Sequence, residues 1–237
     1  MTEREFMNNF RTITADEFRL IGIKLFSNEC ASKKEYLVWW SPKEEFPALG
    51  IGHFIWLPAG KKFPFVEQFP ELIAFYLKKR EPVPEFILRH KFTGCAWKNR
   101  EELDSDPQKP AFIEWLYSTM NVQAVFIIFK AMDSINEILD FNPQAKNALN
   151  ALSLTPEGRF AVVDYLNFKG TGLDKEEQIK DEGWGLLQVL EGMKKHDLEN
   201  FIISASETLT RRVNNYTDER NDLSFLKGWL KRLESYH

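Results

Sequence analysis

Two cysteines and four histidines are few for a chain of 237 residues. Cys30 and Cys95 cannot furnish a four-ligand zinc site alone, and His53, His90, His196 and His237 show no metal-ligand spacing. No metal and no cofactor is expected. A disulfide stays open, because its geometry is not legible in sequence. No run of about 18 apolar residues occurs, so no membrane-spanning helix is expected. No basic run occurs either. With a formal net charge of −4 and a pI near 5.7, nucleic acid is not an expected partner. The same acidic balance gives no long-range attraction to an anionic polymer. The start, Met1-Thr2-Glu3-Arg4-Glu5-Phe6, is polar and lacks a signal-peptide pattern. The expected compartment is therefore cytoplasmic, or periplasmic or secreted where a leader has been removed. Internal repeats, low-complexity tracts, a serine nucleophile elbow and phosphate-loop glycine spacing are all missing.

What is present is a globular composition: 43% hydrophobic and 28% charged residues, enough for one large domain or two lobes sharing a core. Aromatics reach 14%, with 20 Phe against 7 Trp and 6 Tyr. That excess of Phe points to a thick core before a carbohydrate-stacking cleft.

Along the chain, residues 1–13 read as a lead-in arm. Thr14 with Glu17 three positions on forms a capping-box signal. Phe18, Ile21 and Leu25 follow at helical spacing, and extending the stripe by four reaches Glu29. Residues 36–57 carry the β signals. They comprise the run Tyr36-Leu37-Val38-Trp39-Trp40, a turn at Ser41-Pro42-Lys43-Glu44-Glu45, and a strand containing Gly50-Ile51-Gly52-His53. Glycines in such a strand mark a bend, a bulge or a close backbone approach. A helix over 65–79 comes next, then Pro82 and Pro84 as a connector, a loop over 92–97, and a short turn capped by Asn99. From Pro110 onward the pattern is helical: 112–120, 122–139, 143–152, a helix from Thr155-Pro156-Glu157 to about Asn167, then 184–193, 198–216 and 224–233. The expected architecture is α+β and mainly α. Residues 1–237 form one domain, with a small α+β lobe (14–80), a larger helical lobe (81–237) and a ligand cleft between them.

Glu29 lies at the end of a helix and in line with its apolar face. Burial and the negative end of the helix dipole make this an unfavourable place for an ionised carboxylate. Cleaving a glycosidic bond needs a proton donor for the leaving oxygen and a negative group to support the oxocarbenium-like centre. Glu29 suits the donor. Glu45 and Glu44, in the turn before Gly50, are the candidates for the second group. His53 is read as fixing the hairpin. Asp164, Asn167 and Lys169, together with Trp184 and Gln188, place polar and aromatic groups on or beside apolar stripes. Such groups need partners or a cleft. They would line the far wall and bind sugar hydroxyls or amides, with Trp184 as a stacking face, or else form a polar network between helices. The cluster Arg211-Arg212, Asn214 and Glu219-Arg220-Asn221 reads as helix–helix salt bridging.

The order of an apolar helix, Glu29, a hairpin and Leu49-Gly50-Ile51-Gly52-His53 resembles the phage-type lysozymes and the wider lysozyme-like superfamily. The match covers about 30 residues. It implies a lysozyme-like fold and cleavage, or transglycosylation, at the linkage between N-acetylmuramic acid and N-acetylglucosamine. It also implies Glu29 as the general acid. The family's hairpin Asp and the Thr before its apolar-Gly-x-Gly unit correspond here to Pro42 and Ala48. Glu45 or Glu44 then substitutes, or no second carboxylate exists. The segments Asp164-Tyr165-Leu166-Asn167-Phe168-Lys169-Gly170 and Gly183-Trp184-Gly185-Leu186-Leu187-Gln188 are similar to a group of bacterial lysozyme-like proteins of uncharacterised activity. The expected partner is a glycan, peptidoglycan or chitin-like, bound by a monomer. The alternative is a non-catalytic glycan-binding or envelope-associated protein that keeps the fold.

Overall fold

Thr14 starts a helix as its capping signal predicts: its hydroxyl accepts from the Glu17 amide at 3.2 Å. In the computed structural model, which describes residues 9–10, 12–61, 63, 66–215 and 223–237, this helix is α1, Ala15–Cys30. Ile21, Leu25 and Phe26 are buried, and the run ends at Ala31 and Ser32, both with positive φ. A 3-10 turn over Lys34–Leu37 leads into three two-residue strands: β1 (Val38–Trp39), β2 (Ala48–Leu49) and β3 (Phe54–Ile55). They form an antiparallel sheet in the order β1-β2-β3. Val38 pairs with Leu49, Trp39 with Ala48, Ala48 with Ile55, and Leu49 with Phe54.

Here the structure corrects one expectation. Gly50-Ile51-Gly52-His53 is the turn joining β2 to β3, not a strand. Two of its residues adopt positive φ, Gly50 at 70° and His53 at 48°, which breaks any extended run. What comes close to Gly50 is a side chain and not another backbone. A Cβ on Gly50 would collide with the side-chain amide oxygen of Gln123.

After the sheet, the described residues form α2 (Phe69–Lys79), α3 (Glu85–His90), α4 (Arg100–Ser105), α5 (Lys109–Ser118), α6 (Met120–Phe141), α7 (Lys146–Ser153), α8 (Pro156–Lys169), α9 (Leu186–Gly192), α10 (Leu198–Asn215) and α11 (Leu223–Leu233). The chain is thus mainly helical with one small sheet. α4 is capped as expected, with the Asn99 side chain accepting from the Glu102 amide at 2.9 Å. Likewise, α8 is capped by Thr155 through the Gly158 amide at 3.1 Å. Helix α2 begins four residues later than expected, with Pro70 in its first turn; Phe65 lies outside the described residues. Helix α3, on the segment read as connector, was not anticipated. Helix α9 begins at Leu186, because Gly185 is extended at its N-cap. The Tyr216 end of α10 and the acidic-basic run 219–221 lie outside the described residues.

Two compact units result. One comprises residues 18–126. Its core joins Leu25, Leu37, Leu49 and Ile51 to an aromatic cluster of Trp56, Phe69, Trp97 and Phe112, whose rings sit 4.9–6.2 Å apart. Each such side chain contributes roughly 1.5–3 kcal/mol by leaving water. Within this unit α1 approaches α6 closely, since a Cβ on Gly22 would lie 3.3 Å from that of Ala124. The other unit comprises residues 1–17 and 127–237, with a core around Phe160, Tyr165, Phe201, Leu209 and Tyr236. Both cysteines, Cys30 and Cys95, are buried free thiols, so no disulfide forms between them.

Candidate active site around Glu29

Helix α1 ends one residue after Glu29, which puts the carboxylate beside the turn that follows β2. Oε2 of Glu29 lies 3.5 Å from Nδ1 of His53, and the Glu29 side chain is only 12% exposed against 29% for His53. The other ring nitrogen, Nε2, lies 3.7 Å from the sulfur of Cys30. That sulfur also stands 4.0 Å from the Gly50 carbonyl oxygen, to which the thiol can donate. Glu29, Cys30 and the Gly50–His53 turn therefore form one cluster inside the unit of residues 18–126.

The turn is held from two sides. The Gly50 amide donates to the Leu37 carbonyl at 2.7 Å, and the His53 amide donates to the Gly50 carbonyl at 3.2 Å. The Ile51 amide donates to Oε1 of Gln123 at 2.9 Å, and Nε2 of Gln123 donates to the Leu116 carbonyl at 2.7 Å. Gln123 is fully buried. Both ends of its amide are used, as a buried amide requires. His53 keeps its left-handed backbone against a cost of about 1–2 kcal/mol for a residue with a Cβ. Such strain persists only where the surroundings over-determine it.

Cysteine, histidine and glutamate in contact have the connectivity of a nucleophilic triad, but Cys30 cannot serve as the nucleophile. It is 0% exposed. Burial first, and the nearby Glu29 charge second, push its thiol up to about 12. It remains an S–H donor across the physiological range.

Glu44 and Glu45 sit elsewhere on the hairpin. With Trp40, Lys61, Lys98 and Arg100 they line a groove of about 330 Å³. Glu45 pairs with Lys61 at 2.9 Å, both side chains well exposed. The Glu44 carbonyl accepts from the Trp40 indole at 3.0 Å. Glu29 is not among the residues lining that groove.

The other sequence candidates belong to the second unit. Asp164 on α8 is fully buried. Its carboxylate accepts from the Arg232 guanidinium at 2.7 and 2.8 Å and from the Tyr236 hydroxyl at 2.8 Å. The Tyr236 phenol is held well above its ordinary range, by burial first and the Asp164 charge second. Lys169, at the end of α8, directs its ammonium over three rings, with centroids 3.8 Å (Phe168), 4.1 Å (Trp184) and 3.7 Å (Trp229) away. Trp184 is packed further by Arg212 and Trp229. Gln188 accepts from the Gly185 amide at 3.0 Å and donates to the Gly172 carbonyl at 3.3 Å, fastening the start of α9. It also borders an open groove of about 250 Å³ with Glu191, Ser204, Glu207 and Arg211. Asn167 is half-buried on α8. Lys169 and Trp184 are thus brought together, while Asp164 joins α8 to α11 and the C-terminal turn.

Two residues of the Glu29 cluster escaped the sequence reading. Cys30 reads in the sequence only as a candidate for zinc or disulfide chemistry. Gln123 left a usable signal: one amide inside the apolar stretch Val122-Gln123-Ala124-Val125-Phe126. No family model, curated protein or solved structure matches this chain.

Proposed function

We propose that the chain is a glycan hydrolase or lytic transglycosylase acting on peptidoglycan-type β-1,4-linked amino sugars, with Glu29 as general acid. One observation carries this reading: a helix-terminal carboxylate kept largely from water and placed 3.5 Å from the His53 ring. A carboxyl group at this position can give a proton to a leaving glycosidic oxygen and then draw one from the attacking group. Water as the attacking group gives hydrolysis, and a sugar hydroxyl gives an anhydro product. Glu45 or Glu44 supplies the second carboxylate where one is used. Two carboxyl groups roughly 5–10 Å apart across a bound sugar span both known stereochemical outcomes.

The test is turbidity clearing of purified cell walls, with product masses separating water addition from the anhydro sugar. Glu29→Gln keeps the shape and removes the transferable proton, and is expected to cost about 10²- to 10⁴-fold in turnover. Equal turnover in both proteins removes the assignment. Saccharide binding without turnover in either assigns a non-catalytic glycan-binding or envelope-associated role, which the Lys61 hold on Glu45 favours.

A further inference from the structure

We propose that His53 is the positioning residue for Glu29, its ring held as the Nδ1–H tautomer by the Cys30 thiol behind it. The inference rests on the reading of Glu29 as proton donor. Three distances define the chain of contacts: Glu29 Oε2 to Nδ1 at 3.5 Å, Nε2 to Cys30 Sγ at 3.7 Å, and Sγ to the Gly50 oxygen at 4.0 Å. Which ring nitrogen of a histidine carries the proton is set by what the other nitrogen meets. Glu29 and Cys30, both from α1, face the two ring nitrogens, and the turn presents the Gly50 carbonyl.

Two proton arrangements satisfy both ring nitrogens and the thiol, and they differ by one proton. In the lighter form the thiol donates to Nε2, and Nδ1–H donates to ionised Glu29. In the heavier form Nε2–H donates to the sulfur, and the thiol turns to the Gly50 oxygen. A proton then lies between Nδ1 and Oε2, available to Glu29. The additional proton enters from water at the exposed edge of the ring. When Glu29 gives its proton to a glycosidic oxygen, the count falls by one. The ring, left as Nε2–H, returns to Nδ1–H by exchange with water. The thiol serves both forms because it keeps its own proton throughout, as a group raised to about 12 does. The left-handed backbone of His53 is the local strain that aims the ring into this position.

Ring nitrogen shifts of His53, read in the uniformly 15N-labelled full chain without substrate, decide the matter. Signals are assigned by their loss in His53→Asn. In water the Nε2–H tautomer of neutral histidine predominates. The expected result is Nδ1–H in the wild-type protein and a reversal to Nε2–H in Glu29→Ala, where Nδ1 has lost its acceptor. The same tautomer in both proteins, or a change in the opposite sense, overturns the proposal. Because no substrate is involved, this result stands whether or not cell walls are cleaved. A turnover arm separates positioning from bulk structure. His53→Ala is expected to lower kcat about 10- to 100-fold with KM nearly unchanged, the usual size for an orienting partner. His53→Asn recovers most of that loss, since its amide N–H can replace Nδ1–H and Asn accepts a positive φ. Equal losses in the two variants count against positioning, and absent turnover in the wild type defeats the reading of Glu29 instead.

Discussion

The Ile51 amide donates to the side-chain oxygen of Gln123 at 2.9 Å, tying the turn that carries His53 to a helix 72 residues further along the chain. That one amide also caps the Leu116 carbonyl. Gln123→Leu would keep the volume and leave a buried N–H and a buried C=O without their partner. Each orphaned group costs about 1–3 kcal/mol. The expected outcome is about 2–6 kcal/mol of lost stability, read by urea unfolding. Turnover should fall with it, because His53 then lacks a fixed turn.

Gly50 and Gly60 form a matched pair for separating backbone strain from collision. Both have positive φ, 70° and 78°. A Cβ on Gly60 meets nothing within 4 Å, whereas one on Gly50 strikes the Gln123 amide. Gly60→Ala should therefore cost only the left-handed penalty, about 1–2 kcal/mol. Gly50→Ala should cost that plus the displacement of Gln123, and so resemble Gln123→Leu. Equal losses at the two positions would show that the turn yields freely.

Helix starts with their own chemistry were readable in the sequence, as at Thr14, Asn99 and Thr155, because a cap is a local hydrogen bond. Stripes such as Ile21–Leu25 were readable because periodicity is local too. The turn at Gly50–His53 was not, since its shape depends on Gln123, a partner distant in sequence. A strand and a tight turn also share the same apolar-glycine alternation over four residues. The cluster around Glu29 was half legible. The acid showed itself by lying on an apolar stripe, but Cys30 is the adjacent residue, and only the folded turn brings His53 between them.

The buried pair of Asp164 and Arg232 lends itself to a charge-removal series. Asp164 is 0% exposed and its bidentate contacts measure 2.7 and 2.8 Å. Asp164→Ala strands a guanidinium in the core and should cost about 3–5 kcal/mol. The double variant Asp164→Leu with Arg232→Met removes both charges and should recover most of that loss. Far-UV circular dichroism during chemical unfolding reads both. A double variant as damaged as the single one would place the energy in the Tyr236 hydrogen bond instead.

Alkali should destabilise the unit of residues 18–126 through its two thiols. Burial is the first cause of the shift in both Cys30 and Cys95, each pushed from 9.0 up to about 12. The folded state therefore holds these protons more tightly than the unfolded chain does. Stability from this source is complete below pH 9, falls as pH rises, and is exhausted near pH 12. At about 1.4 kcal/mol per pH unit for each thiol, the two together supply a slope of almost 3 kcal/mol per unit within that window. Melting temperatures between pH 8 and 11 should drop accordingly. In Cys95→Ala the starting stability is lower but the decline is close to half as steep, apart from the common contribution of buried tyrosines above pH 10. A slope equal to that of the wild type would mean that Cys95 does not remain protonated in the folded state.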